Sequence, residues 1–319
     1  MDGVVASGSG DSGLANALAK KLGWEHLNLE TRRFPDTEGY VRVPDDCLDP
    51  IRSGPVALVS TTFPDSAILE TLFLLDAIRD VRSGEMSSLK GGEVEEPDVG
   101  PGVFLVIPYY GYSRQDKRFM AGEAISAKFL ARTFATHCDG IVVLDIHAPE
   151  AMDNMDVPVE LVSAMPEIAK HLQERVQPDF ILSPDKGAID RASSVASAID
   201  VPFSYLEKKR IDAHTIEHTP KDLDVEGRIV AIVDDMISTG GTICRASDAL
   251  RRQGAKEVHA ACTHGLFTGG AIHRLGNHVD GVHSTDSLPN PRANVSAAEA
   301  LSRGVKRLIE RISSEIVAQ

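Results

Sequence analysis

The chain has 319 residues with a formal net charge of −14 at pH 7, and 42% of its residues are hydrophobic and 25% charged. This length favours two domains, and the acidity argues against nucleic-acid binding, because a protein that contacts a phosphate backbone normally has a basic surface. No apolar run approaches the roughly 20 residues that cross a bilayer, so the sequence also argues against a membrane protein.

The N-terminal residues lack the basic start and apolar stretch of a signal peptide, which predicts a cytoplasmic protein. The four cysteines are scattered without a CxxC spacing, as expected for small core residues rather than for a zinc site or a disulfide framework. The net negative charge also repels phosphate compounds at long range. Any phosphate site in this chain therefore has to be locally basic or bridged by a metal ion.

In the first half of the chain, short β-rich runs alternate with longer helical patterns. The runs, in order, are GVVAS, GLANALAKKLG, PVALVST, SAILETLFLLDAIRDV, VFLVIPY, AISAKFLARTFATH and GIVVLDIH. Such alternation is typical of βαβ units built on a parallel sheet. An acidic segment rich in Gly and Pro, residues 83–102, interrupts the pattern and predicts an exposed loop, which we interpret as a passive insertion rather than a lid.

The same alternation restarts in the second half, with PEIAKHLQERV, FILSPD, ASSVASAID, RIVAIVDD, TICRASDALRRQG, EVHAACTHGLF and VDGVHSTDS. We therefore predict two α/β domains, residues 1–154 and 155–319. The final run, SAAEALSRGVKRLIERISSEIV, predicts an amphipathic helix. The sequence leaves open whether this helix packs on the second domain or on the first.

The most informative segment follows the strand-like run RIVAIVDD, in which Asp234 and Asp235 precede a turn of small residues. This turn, the glycine loop, consists of Ser238, Thr239, Gly240, Gly241 and Thr242 and opens a helical pattern. Glycines allow close backbone approach, so successive N–H groups at a helix N-terminus can bind a phosphate. Carboxylates can accept hydrogen bonds from sugar hydroxyls nearby. The segment therefore predicts a sugar-phosphate site, and it resembles the phosphoribosyl-pyrophosphate loop of type I phosphoribosyltransferases.

Five further segments narrow this resemblance. They are RRFPDTEGYVRV (residues 32–43), VIPYYGYSRQDKRF (106–119), LDIHAPE (144–150), SPDKGA (183–188) and EKKR (207–210). Together with the glycine loop they make the chain similar to ribose-phosphate pyrophosphokinases over most of its length. The resemblance implies two similar type I phosphoribosyltransferase-like domains, each a mainly parallel sheet flanked by helices. It also implies a Mg²⁺-dependent homo-oligomer that transfers the diphosphoryl group of ATP to the 1-hydroxyl of ribose 5-phosphate for nucleotide biosynthesis.

Segments of the first half supply the expected ATP site. SRQDKR places three cations together in an acidic chain, and arginine suits phosphate through paired charge-assisted hydrogen bonds. The resemblance assigns ATP contacts to Phe34, Asp36, Thr37, Glu38, Arg114 and Gln115. An aromatic ring can stack on adenine, and acids can accept from its amino group or from the ribose. Thr37 and Gly39 depart from the family pattern, which puts the shape of their loop in question but not its role.

Two more pairs of residues receive roles from the resemblance. KKR aligns with the family's catalytic Lys-x-Arg, which makes Lys208 and Arg210 the catalytic pair, and Arg210 is also expected at the ribose 5-phosphate. We expect a flexible hairpin to carry them, where their charge stabilises oxygens that become more negative during transfer. His147 and Asp185 are the expected Mg²⁺ ligands, with phosphate oxygens completing the shell. Without the resemblance, a lone histidine is more often structural.

Three alternatives compete with this interpretation. GSGDSG (residues 8–13) matches GxGxxG between a strand and a helix, with Glu30 at a spacing suited to a dinucleotide's ribose. A phosphoribosyltransferase would use the same glycine loop but would not account for the SRQDKR and FPDTE segments. A non-catalytic relative that binds pyrophosphokinase subunits would not need Lys208, Arg210 and both Asp234 and Asp235 intact. No P-loop GxxxxGK[ST] is present, so ATP binding has to depend on other segments.

Overall fold

The computed structural model describes residues 3–10, 13–84, 102–210, 216–219 and 223–317. The chain forms two compact units, one made of Met1–Val162 with Ala298–Gln319 and the other of Ser163–Ala297. No helix within these described residues is long and apolar enough to cross a membrane. Most of the predicted acidic loop at residues 83–102 lies outside the described residues.

The first unit contains a parallel sheet of six strands. They are β1 (Val4–Ser7), β2 (Glu25–Asn28), β5 (Val56–Val59), β6 (Val103–Ile107), β7 (Gly140–Leu144) and β8 (Val159–Val162). Their order across the sheet is β2-β1-β5-β6-β7-β8, with parallel pairing throughout. The four inner strands are apolar and buried along their whole length, as parallel strands covered by helices on both faces have to be. Between β2 and β5, β3 (Glu30–Arg33) and β4 (Gly39–Arg42) form a separate antiparallel hairpin.

Helices from both ends of the chain cover this first sheet. They are α1 (Leu14–Leu22), α2 (Leu48–Ser53), α3 (Asp65–Ser83), α4 (Ser126–Ala135) and, after the whole second unit, α9 (Ala298–Val317). The last of these packs against α1, β7 and β8. Leu301, Val305 and Leu308 on its apolar face are fully buried. The C-terminal helix α9, whose packing the sequence left open, therefore packs on the first unit.

The second unit repeats this plan. Its parallel sheet consists of β9 (Phe180–Ser183), β10 (Phe203–Tyr205), β13 (Ile229–Ile237), β14 (Glu257–Gly265), β15 (Gly281–Thr285) and β16 (Ala293–Val295), in the order β10-β9-β13-β14-β15-β16. β11 (Glu207–Arg210) and β12 (Ile216–Thr219) form an antiparallel hairpin between β10 and β13. Its helices are α5 (Met165–Arg175), α6 (Ile189–Ile199), α7 (Gly241–Arg252) and α8 (Ala271–Gly276).

The predicted fold class, two parallel-sheet α/β domains flanked by helices, is confirmed. The predicted boundary between residues 154 and 155 differs from the observed division after Val162, because β8 pairs with β7 and belongs to the first sheet. The sequence patterns also missed the edge strands β2, β8 and β16. These strands are short and partly exposed, so they lack the continuous buried run that identified the inner strands.

Candidate functional site

Two acidic residues lie near the carboxyl end of β13, the strand that leads into the glycine loop. Asp235 is only 2% exposed, and its Oδ2 lies 3.5 Å from the Arg191 guanidinium of α6. The pKa of Asp234 is raised well above its usual range. The main cause is burial, and the negative charge of Asp235 and a hydrogen bond with its side chain add to it. The two acids therefore differ, because Asp235 is paired with a cation whereas Asp234 carries the electrostatic cost of a crowded acidic site.

The glycine loop begins α7 with a left-handed residue. Gly240 has φ 74°, a conformation that favours glycine, and a Cβ at this position would also lie 3.0 Å from Leu275 Cγ. The first N–H groups of a helix have no acceptor inside the helix, and the helix dipole adds positive potential there. The predicted strand, glycine turn and helix are all present, in a geometry that suits an anion.

Asp185 follows β9, the strand that pairs with β13, and is thereby brought towards the acidic pair. Its Oδ1 accepts a hydrogen bond from the Gly187 N–H at 2.8 Å, and its carbonyl accepts from Ser183 Oγ at 2.6 Å. The charge of Asp185 also contributes to the raised pKa of Asp234. The fold thus groups three carboxylates that the sequence placed in two separate segments.

Three arginines near these residues were not predicted from the sequence. Arg191 pairs with Asp235 as described above, and Arg274 of α8 donates from Nη1 to Thr239 O in the glycine loop. Arg245 Nη1 lies 3.5 Å from where a Cβ on Gly241 would be. These three arginines place positive charge beside the three carboxylates. Arginines in helical runs are common, so the sequence offered no signal that separated them from surface residues.

In the first unit, the turn between β3 and β4 carries four of the predicted ATP residues, Phe34, Asp36, Thr37 and Glu38. Phe34 is 42% exposed and packs edge-on against Tyr40, with ring centroids 5.9 Å apart. The guanidinium of Arg32 lies 4.3 Å from the Tyr40 ring centroid. Asp36 Oδ1 accepts from the Glu38 N–H at 3.2 Å, so the acids of this turn also shape it. The arrangement presents an exposed aromatic ring beside carboxylates.

Thr37, which departs from the family pattern, has an unusual backbone conformation. Thr37 adopts φ 77°, which is the left-handed region where glycine is favoured. Two hydrogen bonds hold the turn in this conformation: the Thr37 N–H donates to Phe34 O, and Arg33 Nη1 donates to Thr37 O, both at 2.9 Å. The turn therefore keeps a glycine-like backbone without a glycine at this position.

Arg114 and Gln115 lie on a different loop of the first unit, between β6 and α4. Arg114 is exposed, whereas Gln115 Oε1 accepts from Ser126 Oγ at 2.7 Å. Not all the cations of SRQDKR are available to a ligand, because Arg118 Nε donates to Glu123 O at 2.8 Å and shapes the loop itself. Among these cations, Arg114 remains the candidate for a phosphate contact.

The expected metal ligands belong to different units. His147, after β7, is exposed, whereas Asp185 is partly buried. Across the part of the chain that the structure describes, no group of three or more His, Cys, Asp or Glu side chains could hold a metal ion. Mg²⁺ typically binds through one or two carboxylates with waters and substrate phosphates. Asp185, whose charge contributes to the raised pKa of Asp234, has carboxylate oxygens that suit this kind of Mg²⁺ binding.

The predicted catalytic pair lies in the hairpin of the second unit. Lys208 and Arg210 occupy alternate positions of β11, opposite His218 and Ile216 of β12. The antiparallel pairing agrees with the expected hairpin. The side chains of the pair, like the residues between the two strands, lie outside the described part of the structure.

The GSGDSG motif has a local explanation in the described part of its sequence. The Ser9 N–H donates to Glu70 Oε1 at 2.8 Å, and Ser9 Oγ donates to the same carboxylate. A carboxylate of the protein itself, on α3, therefore occupies the position next to this loop. Asp11 and Ser12 of the motif lie outside the described residues.

Comparisons with known proteins agree with this architecture. The family described as "Phosphoribosyl transferase domain" matches residues 161–289, and that described as "N-terminal domain of ribose phosphate pyrophosphokinase" matches residues 101–137. A ribose-phosphate pyrophosphokinase of Methanopyrus kandleri is 39% identical over 310 residues, covering 96% of this chain and 99% of the relative. One of Thermococcus kodakarensis is 36% identical over 296 residues, covering 92% and 97%.

A solved structure is similar over the same extent. The crystal structure of phosphoribosylpyrophosphate synthetase from Mycobacterium smegmatis aligns with a TM-score of 0.77 at 27% identity, covering 97% of this chain and 99% of that chain. The match includes both units, whereas the glycine loop alone could not separate this family from phosphoribosyltransferases. The chain belongs to the ribose-phosphate pyrophosphokinase family, as the ordered segments of its sequence predicted.

Proposed function

We propose that this chain transfers the diphosphoryl group of ATP to the 1-hydroxyl of ribose 5-phosphate, giving phosphoribosyl pyrophosphate and AMP. The main support is the arrangement in the second unit, where Asp234 and Asp235 of β13 precede the glycine loop at the start of α7 and Asp185 follows β9, the neighbouring strand. An anion-binding turn next to hydrogen-bond acceptors suits a sugar phosphate, whose phosphate and hydroxyl groups are a few ångströms apart.

In this proposal the acceptor binds through the glycine loop. The N–H groups and hydroxyls of residues 238–242 bind the 5-phosphate, and Arg245 adds positive charge. Asp234 accepts hydrogen bonds from the ribose hydroxyls, and these donors would favour its charged form and so lower its raised pKa. Asp235, which is paired with Arg191, orients its neighbour and the end of β13.

The donor binds through the first unit. Phe34 stacks on adenine while Asp36, Thr37 and Glu38 accept or donate at the purine and ribose edges. Arg114 and Gln115 contact the phosphates, for which the exposed guanidinium of Arg114 is suited. No P-loop is needed, because phosphate recognition is divided between this arginine and the cations of the second hairpin.

Transfer requires attack of the 1-hydroxyl on the β-phosphorus, with AMP as the leaving group. Lys208 and Arg210 stabilise the charge on the transferred and leaving oxygens, and positioning supplies much of the remaining acceleration. His147 and Asp185 are the proposed Mg²⁺ ligands, and the ion would neutralise phosphate charge when bound. Residues of the hairpin would also exclude water, which would otherwise hydrolyse ATP.

The test is the identity of the adenine nucleotide product. Incubation with ATP, Mg²⁺ and ribose 5-phosphate should give AMP and phosphoribosyl pyrophosphate in equal amounts. ADP would contradict the proposal, because it indicates transfer of a single phosphoryl group, and a chain without product would be a binding protein. The assignment of the acceptor site is tested with Asp234→Asn, which should raise the KM for ribose 5-phosphate about 10- to 100-fold and leave the KM for ATP nearly unchanged. Asp248→Asn, on the surface of α7, is the matched control.

The proposal extends to assembly and location. A homo-oligomer in the cytoplasm is expected for this family, and the acidic protein is not expected to bind nucleic acid or membranes. Light scattering of the purified chain, with and without ATP, tests the assembly. A monomer at concentrations where the enzyme is fully active would contradict it.

A further inference from the structure

Three successive carbonyl groups at the start of the glycine loop, at residues 237–239, accept hydrogen bonds from one neighbouring segment. This bracing segment, residues 266–275, leads from the end of β14 into α8. Two of the carbonyls accept from its backbone: Leu266 N–H and Phe267 N–H both donate to Ile237 O at 3.1 Å, and Thr268 N–H donates to Ser238 O at 3.0 Å. Successive carbonyls of a regular strand point to alternating sides, so the chain has left the strand geometry here.

The third carbonyl is held by a side chain. Arg274 donates from Nη1 to Thr239 O and from Nη2 to Gly269 O at 3.2 Å, so one planar guanidinium joins the glycine loop to the bracing segment. Ser238 Oγ and Thr268 Oγ1 are 3.1 Å apart and add a side-chain hydrogen bond between the same two segments. The contact is therefore not an isolated surface hydrogen bond but part of a continuous brace.

The direction of these carbonyls determines the direction of the amides. In a trans peptide unit the C=O and the following N–H point to opposite sides. With the carbonyls of residues 237–239 turned towards the bracing segment, the N–H groups of Ser238, Thr239 and Gly240 point away from it. Successive N–H groups that converge on one side form an anion-binding concavity.

We propose that Arg274 is a positioning residue for the sugar phosphate: by holding the Thr239 carbonyl, it orients the Gly240 N–H towards the 5-phosphate. The inference depends on the proposed function of the glycine loop and adds a residue that does not itself contact the substrate. Without the guanidinium, the peptide between Thr239 and Gly240 can rotate, because Gly240 tolerates both signs of φ. The Gly240 N–H would then point away from the phosphate for part of the time.

The experiment compares Arg274→Ala and Arg274→Lys with the wild-type chain. We expect Arg274→Ala to raise the KM for ribose 5-phosphate about tenfold, as for the loss of one charge-assisted hydrogen bond, with the KM for ATP within about twofold. Arg274→Lys keeps one donor and the charge and should recover part of the affinity. Calorimetric binding of ribose 5-phosphate to each protein gives the same ranking without turnover. Arg252→Ala, which removes an exposed charge at the end of α7, is the matched control.

Three outcomes would overturn the inference. Equal increases in both KM values, together with a lower melting temperature, would show that Arg274 only stabilises the fold. Unchanged binding of ribose 5-phosphate in Arg274→Ala, in a preparation whose wild type is active, would overturn this inference alone. A wild-type chain that binds no ribose 5-phosphate would overturn the proposed function as well, so the two failures are distinguishable.

Discussion

In the first unit the strands are ordered β2-β1-β5-β6-β7-β8, and in the second β10-β9-β13-β14-β15-β16, so every strand of one sheet has a counterpart in the other. Each unit also inserts an antiparallel hairpin after its outer strand, β3–β4 in one and β11–β12 in the other. By this correspondence β5 is the counterpart of β13. The loops that follow these two strands are the informative difference.

After β13 the chain has two acids, a glycine loop and the start of α7. After β5 it has residues 60–64, STTFP, without acids or glycines before α3 begins. The hydroxyls of this loop bind within the protein: Ser60 Oγ is 2.7 Å from Thr71 Oγ1, and Thr62 Oγ1 accepts from the Gly111 N–H at 2.8 Å. The two units therefore share a strand order but differ in this loop. The loop after β13 is suited to an anion, whereas hydroxyls of the loop after β5 make hydrogen bonds within the protein.

The covering helices show a second difference. α5 directly precedes the second unit's sheet in sequence and packs on α6, β14 and β16. In the first unit α9, which follows the whole second unit in sequence, packs on α1, β6, β7 and β8. The first unit therefore depends on residues that follow the whole second unit in the sequence. The two units therefore repeat the same strand order, but the covering helix comes from before the sheet in the second unit and from after the other unit in the first.

The largest expected effect is in the β11–β12 hairpin of the second unit, which carries the predicted catalytic pair. Lys208→Ala should lower kcat about 100- to 1,000-fold, because a cation that stabilises the transferred oxygens is lost. Lys209→Ala, its neighbour on the same strand, should stay within a few-fold of the wild type. Steady-state kinetics with saturating ATP and ribose 5-phosphate measure both. Equal loss in the two variants would indicate that the hairpin's total charge matters rather than one position.

The next prediction tests the packing of α9 on the first unit. A Cβ on Gly304 would lie 2.5 Å from Val142 Cγ1 and 2.7 Å from Val162 Cγ1, so Gly304→Ala should lower the free energy of unfolding by about 1–3 kcal/mol through overpacking. Urea unfolding followed by circular dichroism measures the stability of the whole chain, and the fluorescence of Trp24, the one tryptophan of the sequence, reports on the first unit. Gly276→Ala in α8, where a Cβ has no atom within 4 Å, should change stability by less than about 1 kcal/mol. A harmless Gly304→Ala would mean that α9 does not pack closely on β7 and β8.

A smaller effect is expected in the glycine loop. Gly240→Ala combines a left-handed φ of 74° with a Cβ 3.0 Å from Leu275 Cγ, whereas the control Gly227→Ala combines a φ of 71° with no atom within 4 Å of its Cβ. The left-handed conformation alone costs roughly 1–2 kcal/mol for a residue with a Cβ, so both variants should lose stability. Only Gly240→Ala should also raise the KM for ribose 5-phosphate. If the two variants have the same KM, the loop does not bind the phosphate through its backbone.

The smallest effect concerns the acid sensitivity of the second unit. His171 of α5, His259 of β14 and His283 of β15 lie together, with His171 Nε2 3.0 Å from His283 Nδ1 and His259 Nδ1 3.4 Å from His283 Nε2. Burial, and then the charges of His171, His259 and Arg292, lower the pKa of His283 from 6.5 to about 4. Between these values the unfolded chain binds more protons than the folded one, so the second unit becomes less stable as the pH falls from 6.5 to 4.

Hydrogen exchange of the two units at pH 7 and pH 5 measures this difference. Amides of α5 and β15 should lose protection at the lower pH more than those of α9 and β7. His283→Gln should reduce the difference, and His278→Gln, a surface histidine paired with Asp248, is the control. Equal loss of protection in both units would contradict a role for the histidine group.

Much of the architecture was predictable because it depends on local patterns. The inner strands β1, β5, β6, β7, β9, β13 and β14 each appear as apolar runs, since both faces of a parallel sheet are buried. The glycine loop was predictable because a left-handed residue at a helix N-terminus favours glycine. The hairpin β3–β4 was not predicted, because its strands are largely exposed and its left-handed turn position is a threonine, Thr37, rather than a glycine that would signal a turn.

The sequence by itself determined the fold class, the family and the segments that carry the candidate site, because turn chemistry and buried apolar runs are properties of consecutive residues. Only the tertiary structure decided on which unit α9 packs and which arginines lie next to the glycine loop. Arg274 and Thr239 are 35 positions apart in the sequence. Their hydrogen bond exists because β13 and β14 are neighbours in a parallel sheet, whose loops meet at one edge.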